Sequence, residues 1–163
     1  MKKRIFTQRH RDNISKACMG RKTWSKGKKM PKESVYKNMA SHSRFAVTAE
    51  WLSQFDDIEK LKLLNDCITN RSGRFDVSTE WYQDYLLFFY SCGQFNAIYE
   101  TWVNSGKEAY LKPSIDHIHP KAKGGTNELR NIQFLTWFEN RCKNDMTQEE
   151  WENIKSNIGR YLI

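Results

Sequence analysis

The chain has 163 residues, with 27 lysines and arginines against 19 acidic residues and a formal net charge of +8. Aromatic residues make up 13% of the sequence, which excludes a wholly disordered chain because this much aromatic surface can form a core. The longest apolar stretch, residues 85–90, is far short of the ~20 residues that a membrane span needs. No apolar segment follows the basic residues 1–4, so we expect no secretory signal.

The four cysteines lie far apart, at Cys18, Cys67, Cys92 and Cys142. No two of them form a Cys-x-x-Cys pair, which argues against a structural zinc site and against a disulfide scaffold. Reduced thiols in a cytoplasm are the simplest expectation.

Positive charge is concentrated at the start of the chain. Residues 1–45 contain 14 lysines and arginines and two acids, a net +12, whereas residues 46–163 contain 13 basic and 17 acidic residues, a net −4. This asymmetry predicts a polyanionic partner, with nucleic acid first and an anionic membrane surface second. A solubilising tail is the alternative, but such a tail needs no aromatic or glycine residues, and this segment has both.

The basic segment, residues 1–45, is predicted to be an arm with two short helices, over residues 7–19 and 31–41. Neither helix can bury much apolar area alone, so we expect the arm to be loosely ordered until it binds its partner. Residues 46–110 follow a helical period: one helix with its apolar residues between Leu52 and Ile68, one starting near Ser78, and one containing Phe95 and Trp102. The second of these has apolar residues on more than one face, Phe88 among them, which indicates a central helix.

In the last part of the chain, residues 111–163, the pattern of apolar and polar residues changes and indicates strands as well as helices. Residues 111–120 are predicted to form a strand, 121–125 a basic glycine turn and 131–135 the returning strand of a hairpin. Helices are predicted to begin at two capping boxes, Thr136 with Glu139 and Thr147 with Glu150. In the last helix Trp151, Ile154 and Ile158 are expected to face inward. The fold class is therefore α+β, with a mostly helical body and a C-terminal strand–strand–helix unit.

This unit would bring Asp116, His117, Asn131 and Asn140 within reach of one another. Carboxylate and amide oxygens suit a hard ion such as Mg²⁺, which takes the rest of its shell from water and phosphate. A neutral imidazole suits a general base, and an amide on the facing strand, Asn131, could orient it. Asn140 lies near a helix N-terminus, which favours an anionic phosphate, and Lys143 shares its helical face.

One geometric demand follows from the strand itself. Side chains at adjacent strand positions point to opposite faces, so Asp116 and His117 would normally be separated. They can serve one phosphate if the strand bends between them or if the phosphate lies at the edge of the strand.

These residues resemble the HNH motif of the ββα-metal, or His-Me finger, endonucleases. The resemblance is carried by the run Asp116-His117-Ile118-His119-Pro120, then Gly124-Gly125, Asn131-Ile132-Gln133-Phe134-Leu135 and Asn140-Arg141-Cys142-Lys143. It implies a ββα-metal hairpin and helix, with metal-dependent hydrolysis of DNA phosphodiester bonds. It also implies that His117 is the general base, that Asp116 and Asn140 hold one Mg²⁺ or Mn²⁺ ion, that Asn131 orients the base, and that Lys143 lies near the phosphate backbone. Thr136 and Phe138 stand where zinc-binding cysteines occur in other versions, so no structural zinc is expected.

The arm adds a second resemblance. Residues 13–22 are similar to the modular DNA-binding repeat of phage and intron-type homing endonucleases. Together the two resemblances imply a phage-encoded homing endonuclease that acts on double-stranded DNA in the bacterial cytoplasm, as a monomer that nicks or as a dimer. The domains would be 1–45 (DNA-binding arm), 46–110 (helical subdomain) and 111–163 (nuclease motif with the C-terminal helix). The candidate DNA contacts are basic residues of the arm and of the site: Lys16, Arg21, Lys22, Lys26, Lys28, Lys29, Lys121, Lys123 and Arg141.

Two alternatives stay open. One is a non-catalytic DNA-binding regulator that kept the fold and lost the chemistry, and the other is an HNH nuclease with a restriction or repair role. The charged arm favours the regulator and the enzyme equally, whereas the set of one imidazole, one carboxylate and two amides favours the enzyme. His119 lies at a variable position of the motif and is interpreted as a groove-facing or structural residue.

Overall fold

The computed structural model describes residues 7–19, 30–69 and 75–161. The chain divides into two compact units, residues 1–31 and 32–163. In the first unit, helix α1 (Gln8–Cys18) begins after Thr7, whose hydroxyl accepts a hydrogen bond from the backbone N–H of His10 at 3.3 Å. This confirms the predicted first helix of the arm, and Lys16 lies exposed on it. The other predicted DNA contacts of the arm, Arg21, Lys22, Lys26, Lys28 and Lys29, lie outside the described residues.

The second unit is α+β and mostly helical, with one two-stranded antiparallel sheet in its described part. Its elements follow in the order α2 (Lys32–His42), α3 (Ala49–Leu52), α4 (Ile58–Thr69), α5 (Thr79–Ser91), α6 (Gly93–Asn104), β1 (Pro113–His117), β2 (Ile132–Thr136), α7 (Trp137–Lys143) and α8 (Gln148–Tyr161). The fold class and the order of strand, strand and helix near the C-terminus agree with the sequence prediction. None of the helices in the described residues is both long and apolar enough to cross a membrane.

Helix α2 packs into the core of this unit. Val35 and Tyr36 are buried, and the hydroxyl of Tyr36 donates a hydrogen bond of 2.7 Å to the carbonyl of Phe55. The compact unit therefore begins at Lys32 rather than after residue 45, and the expectation of a loosely ordered arm does not hold for α2. This packing could not be predicted from the sequence, because α2 buries only two side chains and the surface that covers them comes from other parts of the chain.

The predicted long helix around Leu52 and Ile68 is two helices, because the chain turns at residues 53–57. Asp57 caps the N-terminus of α4, since its carboxylate accepts a hydrogen bond from the backbone N–H of Lys60 at 3.0 Å. Phe55 is buried inside the turn, so the apolar period continues although the helix does not.

The core contains side chains of α2, α3 and α4 as well as of α5, α6 and one face of the sheet. The ring of Phe134 on β2 packs edge-on against Phe89 of α5 and Phe95 of α6, with centroids 5.0 Å and 4.7 Å away. Phe88, predicted to be central, is 55% exposed, because only one side of α5 meets the core at that level.

The strand register fixes which side chains share a face of the sheet. Ile115 pairs with Phe134, Asp116 with Gln133 and His117 with Ile132. Since side chains alternate along a strand, Asp116 and Gln133 lie on the face opposite Ile115 and Phe134. Helix α7 covers that outer face.

Both predicted N-caps form, and the capping box at Thr147 is reciprocal, whereas the carboxylate of Glu139 accepts the Trp151 Nε1–H and the Lys155 ammonium. The Thr136 hydroxyl accepts the N–H of Glu139 at 3.1 Å, and Thr147 and Glu150 bond each other reciprocally, at 3.2 Å and 2.6 Å. Of the three residues expected to face inward on α8, Trp151 is buried. Ile154 and Ile158 are 37% and 47% exposed, so that part of the prediction is wrong: α8 packs at its first turn and then runs on in solvent.

Candidate active site

Helix α7 meets β1 through two polar side chains. The amide nitrogen of Asn140 lies 2.9 Å from the hydroxyl of Ser114 and 2.8 Å from the carbonyl of Ile115. The ammonium of Lys143 lies 2.9 Å from Oδ2 of Asp116 and 2.8 Å from the carbonyl of His117. Helix α7 therefore carries two of the predicted site residues to β1, whose last two residues are the predicted Asp116 and His117.

Asp116 is a buried carboxylate held by two donors. Besides the ammonium of Lys143, its Oδ2 accepts the amide N–H of Gln133 at 2.9 Å. Asp116 is 8% exposed and Lys143 is fully buried, so the ion pair is shielded from solvent. Burying either charge without its partner would be strongly unfavourable, which makes the two side chains mutually dependent.

The orientation of the Asn140 amide follows from its partners. The carbonyl oxygen of Ile115 is only an acceptor, so the atom of Asn140 beside it must be the NH₂ group. With that group turned toward β1, the carbonyl oxygen of the amide is left at the other end, as an oxygen donor for a cation.

The His117 ring faces away from α7. It stacks on Phe75 with centroids 5.4 Å apart and an interplanar angle of 11°, and its Nε2 lies 3.0 Å from Oδ1 of Asn127. Burial lowers the pKa of His117 below its ordinary 6.5, because desolvation of the imidazolium outweighs the opposing effects of Asn127 and Asp116. His117 is therefore neutral at neutral pH, as a general base must be.

The contact with Asn127 selects a tautomer of this ring. Oδ1 of Asn127 also accepts the ammonium of Lys121 at 3.3 Å, which identifies it as the oxygen end of the amide. An oxygen acceptor requires the proton on Nε2, and the lone pair then lies on Nδ1 of His117.

Asn131 binds the loop between the strands rather than the ring of His117. Its Oδ1 accepts the backbone N–H of His119 at 2.8 Å, and its Nδ2 donates to the carbonyls of His119 and Thr126 at 3.1 Å and 2.8 Å. The side-chain contact with the base that the sequence analysis expected from Asn131 is made by Asn127. His119 has a structural contact, from Nε2 to the carbonyl of Lys123 at 2.8 Å.

Two residues of this site were missed from the sequence, Asn127 and Gln133. Asn127 follows the glycine pair, and the fold of that loop depends on Gly125, where a side chain would collide with the carbonyl of His119. Gln133 stands in the strand pattern as an ordinary polar position. Its position opposite Asp116 follows from the strand register, which is known only from the structure.

Asp116 and His117 are adjacent at the end of β1, and their side chains are separated as the alternation along a strand requires. Their side chains occupy opposite faces, toward α7 and toward Phe75, and β1 ends at His117. The Lys143 ammonium touches both residues, through the Asp116 carboxylate and the His117 carbonyl. A phosphate that contacts both residues would have to lie at this edge, the second of the two arrangements that the sequence allowed, and this contact stays a prediction.

Asp116 and Asn140 suit a hard divalent ion in their donor chemistry. Asp116 projects from the face of the sheet that α7 covers, and Asn140 contacts that face from α7. The side chain of each residue contains an oxygen atom. Within the described residues no cluster of three or more His, Cys, Asp or Glu side chains is present. In general Mg²⁺ keeps several waters and is bound through one or two carboxylates and substrate phosphates. Such a donor set does not suit zinc, which favours nitrogen and sulfur ligands.

Basic side chains lie at the surface around the site. Arg141 stacks its guanidinium 5.2 Å from the ring centroid of Trp137, and Lys123 pairs with Glu150 at 2.5 Å. Lys121, Lys123 and Arg141 are all exposed, as residues that contact DNA would be.

No protein-family model, curated protein or solved structure matches this chain at a significant level. The function is therefore to be inferred from the side chains and their geometry.

Proposed function

We propose that the protein is an HNH-type, metal-dependent DNA endonuclease that hydrolyses phosphodiester bonds. The observation that carries the proposal is the meeting of β1, β2 and α7, which brings a carboxylate, an amide and an ammonium together on the α7 side of the sheet, with the neutral imidazole of the next residue, His117, on the opposite face. A protein that only binds DNA has no need of a base beside two oxygen ligands.

The chain's own groups have separate roles in this proposal. His117 accepts the proton of the attacking water on Nδ1, while Asn127 holds its Nε2–H. Asp116 and Asn140 hold Mg²⁺ or Mn²⁺, which neutralises negative charge on the phosphate when it is bound. Asn131 keeps the loop after His117 in shape.

Lys143 has a different position from the one that the resemblance implies. Its ammonium is buried against Asp116 and the carbonyl of His117, so in the proposal it fixes the carboxylate and adds positive charge next to the reacting groups. A contact between Lys143 and a phosphate oxygen stays a prediction.

Double-stranded DNA is the proposed substrate because of the charge distribution. Residues 1–31 contain 11 lysines and arginines and a single acid, and exposed Lys121 and Arg141 flank the site. Phosphate contacts dominate nucleic-acid affinity, so the basic segment supplies binding while the hairpin supplies chemistry. We further propose that the enzyme is of the phage homing type and that a monomer, having one base and one metal site, nicks one strand.

A non-catalytic DNA-binding protein is the second candidate, and one observation favours it. Lys143 already neutralises Asp116, so the carboxylate is satisfied without a metal ion. The enzyme requires the ion to bind in spite of that ammonium.

Nicking of supercoiled plasmid decides between the two. We expect conversion to the open circle with Mg²⁺ or Mn²⁺ and none with EDTA, and loss of the metal-dependent reaction in Asp116→Ala. Unchanged supercoils in both metals, with retained DNA binding, would establish the regulator. Cleavage that needs a long target favours the homing role, whereas cleavage at many short sites favours a restriction or repair role.

A further inference from the structure

Two amides, buried Gln133 and half-buried Gln148, connect Asp116 to helix α8. The amide nitrogen of Gln133 donates to Oδ2 of Asp116 at 2.9 Å and to Oε1 of Gln148 at 2.6 Å. Gln133 is 7% exposed and Asp116 is 8% exposed, so water competes little for these bonds. Gln148 is the first residue of α8, and its amide nitrogen donates in turn to Glu152 at 2.7 Å.

The Gln133 amide is fixed in a single orientation. The carboxylate oxygen of Asp116 requires a donor, so the atom beside it is the NH₂ group, and that group has two hydrogens. One hydrogen goes to Asp116 and the other to Gln148, so the NH₂ group of Gln133 is fully used. A rotated amide would set its oxygen against the carboxylate of Asp116.

The backbone of Gln148 also contacts the segment that follows His117, on the other side of the candidate site. Its backbone N–H donates to the carbonyl of Ile118 at 3.2 Å, directly after His117. The first residue of α8 is thus bonded to the segment that follows His117 and, through Gln133, to Asp116. Helix α8 lies outside the strand–strand–helix unit, yet it is joined to both sides of the candidate site.

We propose that Gln133 is a positioning residue for the metal ligand Asp116, and that Gln148 makes α8 part of the same support. This inference rests on the proposed metal-dependent function. Gln133 and Lys143 both hold Oδ2, so the other carboxylate oxygen, Oδ1, is the one assigned to the cation. With the Gln133 donor removed, Asp116 is held by Lys143 alone, and the carboxylate turns toward the ammonium and away from a cation.

The effect of such a partner is measurable on metal binding. Hydrogen-bond partners of metal ligands typically change metal affinity by about 10–100-fold when they are removed. The test is titration of the full-length protein with Mn²⁺, followed by electron paramagnetic resonance, without DNA and hence without any reading of activity. We expect Gln133→Leu to weaken Mn²⁺ binding by roughly tenfold or more, and Gln148→Leu to weaken it by less.

Two controls separate positioning from a general loss of structure. Gln148→Glu combined with Glu152→Gln keeps an acceptor oxygen for Gln133, exchanges donor and acceptor in the bond between positions 148 and 152, and leaves the net charge unchanged, so this double variant should bind Mn²⁺ about as the unchanged protein does. Gln54→Leu removes an exposed glutamine that bonds the carbonyl of Trp51, far from the site in sequence, and should have no effect. If Gln133→Leu does not fold, the comparison of Gln148→Leu with the double variant Gln148→Glu, Glu152→Gln decides.

The outcomes distinguish this inference from the proposed function. Weaker binding in Gln133→Leu and Gln148→Leu, with normal binding in both controls, supports the positioning role. Normal Mn²⁺ affinity in Gln133→Leu, together with lost affinity in Asp116→Ala, overturns it and leaves the metal site intact. Absence of any Asp116-dependent Mn²⁺ binding in the unchanged protein overturns both proposals.

Discussion

The ammonium of Lys143 lies 2.9 Å from Oδ2 of Asp116, with the lysine fully buried and the aspartate 8% exposed. An exposed pair of this kind contributes little to stability, because solvent screens it. Here each charge depends on the other, since both are removed from water. The pair also joins the last turn of α7 to the end of β1.

Removal of one partner should therefore destabilise the protein strongly. We expect Lys143→Met to lower the free energy of unfolding by about 3–5 kcal/mol, because it leaves an unpaired buried carboxylate. Asp116→Leu should have an effect of similar size, because it leaves an unpaired ammonium. The measurement is urea unfolding followed by circular dichroism.

The double variant is the control for this pair. Replacing both charges by apolar side chains of similar volume is often neutral, so Asp116→Leu with Lys143→Met should be more stable than either single variant. Additive losses in the double variant would show that the two charges do not depend on each other.

His117 should be needed for cleavage and not for binding. Removal of a general base typically lowers the rate by about 10²–10⁴-fold. In the proposed mechanism this loss brings nicking by His117→Ala below detection, while DNA affinity measured in EDTA is retained. His119→Ala is the matched control, because His119 is exposed and its ring bonds the loop backbone. Cleavage by His117→Ala at the unchanged rate would remove the imidazole from the mechanism.

His117 should also make stability depend on pH. Its pKa in the folded protein is lowered by burial, whereas in the unfolded chain it stays near 6.5. Below that value the unfolded chain binds the proton more readily, so the free energy of unfolding falls as the pH drops from neutrality toward the folded-state pKa. His117→Gln should flatten this part of the curve of urea midpoint against pH. An equally steep fall in His117→Gln would assign the effect to another group.

The sequence predicted most of the architecture, because its signals are local. Thr136 and Thr147 each precede a glutamate by three residues, and both form the N-cap bond that this spacing predicts, while Glu150 also makes the return bond. Alternation and the glycine pair likewise placed the two strands and their connection. These features depend on neighbours in the chain and need no knowledge of the tertiary fold.

The site was predicted less completely because its contacts are not local. Nothing in the sequence shows that Lys143 points inward to Asp116, since a lysine on a short helix is usually solvated. Asn127 and Asn131 are chemically identical, and the loop between the strands decides which of them reaches His117. That loop in turn depends on a close approach at Gly125, which permits no side chain. Residue types are visible in the sequence, but their partners follow from the packing.

Asn127 should tune the pKa of His117. The hydrogen bond that Nε2–H of His117 donates to Asn127 opposes the effect of burial, so it raises the pKa of His117. Asn127→Ala should therefore lower that pKa further, and the acidic limb of the pH–rate profile should move to lower pH. The direct measurement is titration of the ring by nuclear magnetic resonance. Asn131→Ala is the control: it should loosen the loop at His119 and Thr126 with little change in the His117 titration. The reverse pattern would restore Asn131 as the orienting residue.

The basic unit at the start of the chain should account for much of the DNA affinity. Residues 1–31 form a unit of their own and α2 belongs to the other, so the deletion that leaves the core intact removes residues 1–31 and keeps Lys32 onward. Each phosphate contact that is lost should reduce the slope of log affinity against log salt concentration by about 0.9. Binding to duplex DNA, measured in EDTA at several salt concentrations, should therefore become both weaker and less dependent on salt. A weaker affinity with an unchanged slope would mean that the unit stabilises the rest of the protein and makes no phosphate contacts.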